Sequence, residues 1–146
     1  MGRSRRSRSK YRHYGSIEIL AREKLYPALE LLARLPQEGK HAALDGRRIE
    51  INNLRMQCFR THGLTCVNCA LEGTFFALEN IRSKNYRGWA VNLYGRREDG
   101  EEIVFTKDHI KPLSRRGPDS LENLQTMCWP CNQTKGSDWE SGSRTS

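Results

Sequence analysis

Phe105-Thr106-Lys107-Asp108-His109-Ile110, followed at a distance by Cys128-Trp129-Pro130-Cys131-Asn132-Gln133-Thr134-Lys135-Gly136, is the stretch on which the reading of this chain turns. Ile103 to Lys107 has strand character and delivers Asp108 and His109 at its end. Residues 111–122, with Pro112, Gly117 and Pro118, predict a loop, and Leu124 to Met127 a returning strand. Pro130 suits the first turn of a helix, expected to run to about Trp139. Asp108, His109, Asn123 and Asn132 are thus gathered on one hairpin and the helix that follows it. An acid, an imidazole and an amide so placed suit phosphodiester chemistry assisted by a hard divalent ion.

A second chemistry is interleaved with the first. Cys128 and Cys131 form one Cys-x-x-Cys pair, and Cys66 and Cys69 form another about sixty residues upstream. Four soft thiolates select zinc over magnesium, and a four-cysteine site leaves no position open for water. The zinc is therefore expected to be structural, provided the two pairs meet in space. Cys58, the fifth cysteine, reads as a small buried hydrophobe. His62 lies close enough to Cys66 to compete as a ligand, but four cysteines already complete the site.

The frame Thr-Lys-Asp-His-Ile-x-Pro, then Leu-x-Asn-Leu-Gln, then Cys-x-x-Cys-Asn-x-x-Lys-Gly resembles the HNH nucleases, across residues 63–138. It is similar in particular to small HNH proteins encoded by phages. The resemblance implies a ββα-metal fold and cleavage of DNA that leaves a 5′-phosphate and a 3′-hydroxyl. It implies that His109 is the general base and that Asp108 and Asn132 hold the catalytic ion, magnesium or another such as manganese or nickel. It implies that Asn123 braces the loop after the Asp-His pair. Asn132 stands where many family members have histidine, so a neutral amide replaces an imidazole at the ion. Lys107, Lys111, Arg115, Arg116 and Lys135 flank these residues and are candidate phosphate contacts. Two other readings stay open: a structure-selective or junction-resolving nuclease on the same scaffold, and a non-catalytic zinc-ribbon binder of nucleic acid.

Composition agrees with a polyanionic partner. The 146 residues carry a net charge of +8 and 36% hydrophobic residues, with a sequence pI near 9.5 and a mean hydropathy of −0.78. No apolar run approaches a membrane span, and the Arg-rich start lacks the apolar segment of a secretory signal. Cysteines in metal-type pairs point to a reducing, cytoplasmic setting. Residues 1–15 read as a disordered basic tail suited to electrostatic capture of a phosphate backbone, and residues 141–146 as a frayed end. Oligomeric state, monomer or homodimer, is left open.

Between these ends, Ile17, Leu20, Leu25, Leu29, Leu32 and Leu35 recur at helical gaps and predict a helix over residues 16–35, kinked or split at Pro27. Asp45-Gly46 predicts a turn, Arg48 to Ile51 a strand, and Asn52 or Asn53 the cap of a helix reaching about Arg60. Residues 74–81 and 89–95 have strand character, joined to the catalytic hairpin through a turn at 98–101. The expected organisation is α+β: a helical N-terminal extension over 16–62, then a zinc-stapled nuclease domain over 63–140.

Overall fold

A computed structural model describes residues 14–139. The tail over 1–13 and the end over 140–146 lie outside the described residues. The chain runs β1 (Glu18–Pro27), α1 (Ala28–Arg34), β2 (His41–Leu44), β3 (Arg47–Glu50), α2 (Leu54–His62), β4 (Phe75–Arg82), β5 (Arg87–Arg96), β6 (Glu102–His109), β7 (Leu124–Cys128) and α3 (Trp129–Lys135). The fold class is α+β, with the strands β1-β4-β5-β6-β7 in one antiparallel sheet and β2-β3 in a separate hairpin.

The helix expected over 16–35 is corrected at its first half. Glu18–Pro27 is a strand, hydrogen-bonded antiparallel to β4 from Glu18↔Arg82 to Pro27↔Phe75. The cause is long-range. β4 is buried along nearly all of its length, so both its faces are covered and its free edge needs a partner. The leucines that suggested a helical stripe are not a buried face: Leu20, Leu25 and Leu29 are 38%, 43% and 74% exposed. Two register shifts, at Ile19/Ala21 and Arg22/Lys24, reset which side chains point inward and blur the period-2 signal of the strand. Pro27 then ends the strand and α1 begins behind it, burying Ala28 and Leu31. The N-terminal segment thus supplies the sheet's edge strand and part of its core rather than a helical extension.

The turn and cap expectations between 45 and 63 hold in the structure. Asp45 and Gly46 both take positive φ, 51° and 79°, the geometry of a tight hairpin turn. Asn53 caps α2 by accepting from the Met56 N–H at 2.9 Å, and Gly63 ends that helix at φ 101°. α3 stops at Lys135, earlier than the expected Trp139, because Gly136 turns the chain at φ 56° and donates back to the Asn132 carbonyl.

Alternation along the central strands divides the core in two. Phe76, Leu78, Val91, Leu93, Ile103 and Phe105 face α1, α2 and the β2-β3 hairpin. Phe75, Ala77, Ile81, Tyr94 and Val104 face the other way, where Tyr14, Ile17 and Trp129 pack on them. That second face carries a fully buried Glu79, which takes hydrogen bonds from Asn92 at 2.7 Å, from Tyr94 at 2.9 Å and from Arg22 at 2.9 Å. Burial pushes the Glu79 carboxyl up, and these three partners oppose the push. Arg22→Ala is expected to destabilise the fold by about 3–5 kcal/mol, since it strands a buried carboxylate. A shift of the urea midpoint checks this; an unchanged midpoint would show that the pair is not needed.

Candidate active site and metal centre

β6 and β7 pair from Phe105↔Cys128 to His109↔Leu124, and α3 follows β7 directly. Alternation along β6 puts Thr106 and Asp108 on the face covered by α3, and Lys107 and His109 on the other. Asn132 donates from Nδ2 to Thr106 Oγ1 at 2.8 Å. The Thr106 hydroxyl spends its single proton on the Met127 carbonyl at 2.9 Å, so it can only accept from Asn132. The Asn132 amide is thereby oriented, and its Oδ1 takes no hydrogen bond among the described residues.

Asp108 lies on the same face, 5% exposed. Its Oδ2 accepts from Gln125 Nε2 at 2.9 Å and pairs with Lys135 Nζ at 3.2 Å. Lys135 also donates to the His109 carbonyl at 3.0 Å, so its ammonium is turned toward the acid rather than outward. An anionic oxygen and an amide oxygen are the kinds of donor that a divalent ion such as magnesium takes. Thr106 and Gln125 are the supports behind them. Both stand inside the sequence frame, but neither showed a role there.

His109 sits at the end of β6. Its Nε2 is 2.8 Å from Asp119 Oδ1, and this contact holds the Asp119 carboxyl below the usual carboxylate range. Asp119 was not singled out in the sequence, because a loop acid ten residues away carries no spacing signal. The loop that brings it back is built around Asn123. Asn123 Oδ1 accepts from the Lys111 N–H, and its Nδ2 donates to the carbonyls of Lys111 and Pro118, all at 2.8–2.9 Å. Gly117 lets the loop close, since a Cβ there would overlap the Lys111 carbonyl oxygen. Lys111 and Lys107 are half-buried beside this loop, while Arg115 and Arg116 are exposed on it.

The four cysteines also meet. The Sγ atoms of Cys66, Cys69, Cys128 and Cys131 all lie within 4.8 Å of one another. The Cys69–Cys128 separation is 3.8 Å, close to the ~3.8 Å edge of a tetrahedron with Zn–S near 2.3 Å. The first pair turns tightly, with Ala70 at φ 68° donating back to the Cys66 carbonyl. Backbone N–H groups of Asn68 and Cys69 point at Cys66 Sγ, and Asn68 Nδ2 at Cys131 Sγ. Burial works against ionisation of Cys66, but the N–H donors bring its thiol down to about 7; burial drives Cys128 the other way, upward. The donor set and its spacing fit a structural zinc. The Val67 N–H donates to the Thr126 carbonyl at 3.0 Å, so the first knuckle is tied to β7 as well. His62 is not in this cluster; its Nε2 meets the Leu121 carbonyl. Cys58 is fully buried beside Thr126.

Residues 97–138 match the family model of the HNH endonuclease. That segment covers β6, the braced loop, β7 and α3, and so carries the HNH domain of this chain. No curated protein and no solved structure matches the chain. The match begins beyond Cys66 and Cys69, which only the fold brings to the second cysteine pair. Among the described residues no helix is long and apolar enough to cross a membrane.

Proposed function

We propose that the chain is a metal-dependent DNA endonuclease in which His109 is the general base and Asp108 and Asn132 hold the divalent ion. The observation that supports this best is the sorting of β6 by α3. Asp108 and the freed Asn132 Oδ1 share one face, while the imidazole stands on the other at the strand's end. A bound divalent ion would supply positive charge to the phosphate and to the departing 3′-oxygen.

The protein's own groups do the rest. With Nε2–H donated to Asp119, the His109 lone pair sits on Nδ1, and that nitrogen takes the proton of the attacking water. The water oxygen bonds to phosphorus as the bond to the 3′-oxygen breaks, leaving a 5′-phosphate and a 3′-oxyanion that takes a proton from solvent water to become the 3′-hydroxyl. Asn123 acts one step removed, by holding the Pro118 carbonyl and so the place of Asp119. Lys107, Lys111, Arg115 and Arg116 are the phosphate contacts around the hairpin. Lys135, turned inward, balances the Asp108 charge.

The direct test is cleavage of supercoiled plasmid with added magnesium, manganese or nickel, with the product ends identified. No cleavage with any of them would leave the binder reading instead. Asp108→Ala and Asn132→Ala are each expected to weaken the catalytic ion at least tenfold, since even the groups behind metal ligands typically contribute about 10–100-fold. Titration of magnesium followed by calorimetry reads this, and equal affinity in wild type and both variants would remove these residues as ligands.

A further inference from the structure

β5 and β6 stay paired only from Arg96↔Glu102 to Tyr94↔Val104. Beyond that point they part. Because the strands are antiparallel, β5 read back to Arg87 and β6 read on to His109 leave the last pair in the same direction. At ~3.4 Å per residue the two arms are about 24 Å and 17 Å long. One arm ends in the catalytic hairpin. The other ends in the β4-β5 tip, residues 83–86.

That tip is braced by hydrogen bonds and carries basic side chains. The Ser83 N–H donates to the Tyr86 carbonyl at 2.7 Å. Tyr86 folds back along the hairpin, donating its hydroxyl to the Trp89 carbonyl at 2.9 Å and passing over Gly88, which has φ 145°. Lys84 and Arg87 are exposed, and neither has an acidic partner among the described residues. The opposite end of the sheet differs: at the β5-β6 turn Arg96 and Arg97 are paired with Glu102 and Glu101, and Glu98 and Asp99 add negative charge. Six of the eight net positive charges of the chain lie in residues 1–13, so the remainder is close to neutral and the placing of its cations matters more than their number. Tyr14 packs with Trp129 on the second face of the sheet. The Tyr14 hydroxyl is 3.4 Å from Asn92 Oδ1 on β5, and a Cβ on Gly15 would stand 3.8 Å from Trp129 Nε1 on α3.

We propose that the β4-β5 tip is a second DNA-binding element, in which Lys84 and Arg87 hold the phosphate backbone of the duplex flanking the cut while the catalytic hairpin holds the scissile strand. The identity of the polyanion rests on the nuclease reading above. The tip's part is phosphate contact alone, which sets register and affinity without reading sequence.

Binding of a duplex by the full-length, zinc-loaded chain, in a His109→Ala background so that nothing is cut, tests it. Lys84→Ala with Arg87→Ala is expected to make the slope of log affinity against log salt shallower by about 1.8, two contacts at about 0.9 each. Arg96→Ala with Arg97→Ala, at the far end of the sheet, should leave that slope alone. With His109 restored, the tip variant should keep the wild-type single-turnover rate at saturating enzyme. An unchanged slope in the tip variant, or an equal change in the far-end variant, overturns the proposal. Absence of any duplex binding overturns it together with the nuclease reading. A shallower slope in the tip variant alone, from a chain that cuts no DNA, would sustain the binding element and reject the nuclease.

Discussion

His109→Ala is expected to lower single-turnover plasmid cleavage by about 10²–10⁴, the usual contribution of a positioned base, while leaving the fold and duplex binding near wild type. The imidazole is 16% exposed at the end of β6 and its partner Asp119 is 59% exposed, so truncation should cost some local packing but not the fold. The zinc cysteines belong to other strands and turns, so zinc content should also be unchanged. Asp119→Asn serves as the companion variant. It keeps an oxygen acceptor but can present an amide N–H to the ring instead, which would reverse the tautomer and move the lone pair off Nδ1. A rate loss in Asp119→Asn that is absent from duplex affinity would assign Asp119 to orienting the base. Wild-type cleavage by His109→Ala would remove the base assignment altogether.

The segment that matches the HNH model was legible because its signals are local. Two short strands, a loop with Pro and Gly, and a proline at a helix start follow one another along the chain, and DNA-cleaving chemistry could be attached to that order by resemblance. The edge strand was not legible for the opposite reason. Whether Glu18–Pro27 extends or coils depends on the free edge of β4, more than fifty residues away in the pairing Glu18↔Arg82. Leucines at helical gaps are a propensity argument, and tertiary pairing overrides it here. Leu31, the residue most fully buried in α1, lies outside that stripe.

The site divides in the same way. Thr106 and Gln125 were visible as letters of a frame, but their work is defined by direction: which proton a hydroxyl has left, and which nitrogen faces a carboxylate. Sequence spacing carries no such information. Asp119 and the β4-β5 tip depend on a loop closing and on two strands diverging, which are properties of the assembled sheet. The cysteine pairs are the exception. Their separation in sequence forbids any local reading, yet thiolate chemistry alone requires them to meet, and they do.

A zinc ion held by that cluster would be the largest single contribution to the fold. Structural zinc sites supply about 10–16 kcal/mol in finger peptides, as much as the ~5–15 kcal/mol net stability of a whole domain. Here the site ties the turn after α2 to the junction of β7 and α3. Cys128 is the last residue of β7 and Cys131 lies next to Asn132, so loss of the ion should release the helix that orients Asn132 as well as the knuckle. Cys66→Ser and Cys128→Ser are therefore expected to abolish zinc binding and to unfold the chain at room temperature. Zinc stoichiometry measured alongside far-UV circular dichroism reads both consequences. Cys58→Ser is the control: it is buried but outside the cluster, so it should keep a full complement of zinc and show only the modest loss of a repacked core position. A Cys66→Ser protein without zinc, yet folded and cutting DNA at the wild-type rate, would show that the sheet and its two cores position Asn132 unaided. The 3.8 Å approach of the sulfurs would then be packing rather than a metal site.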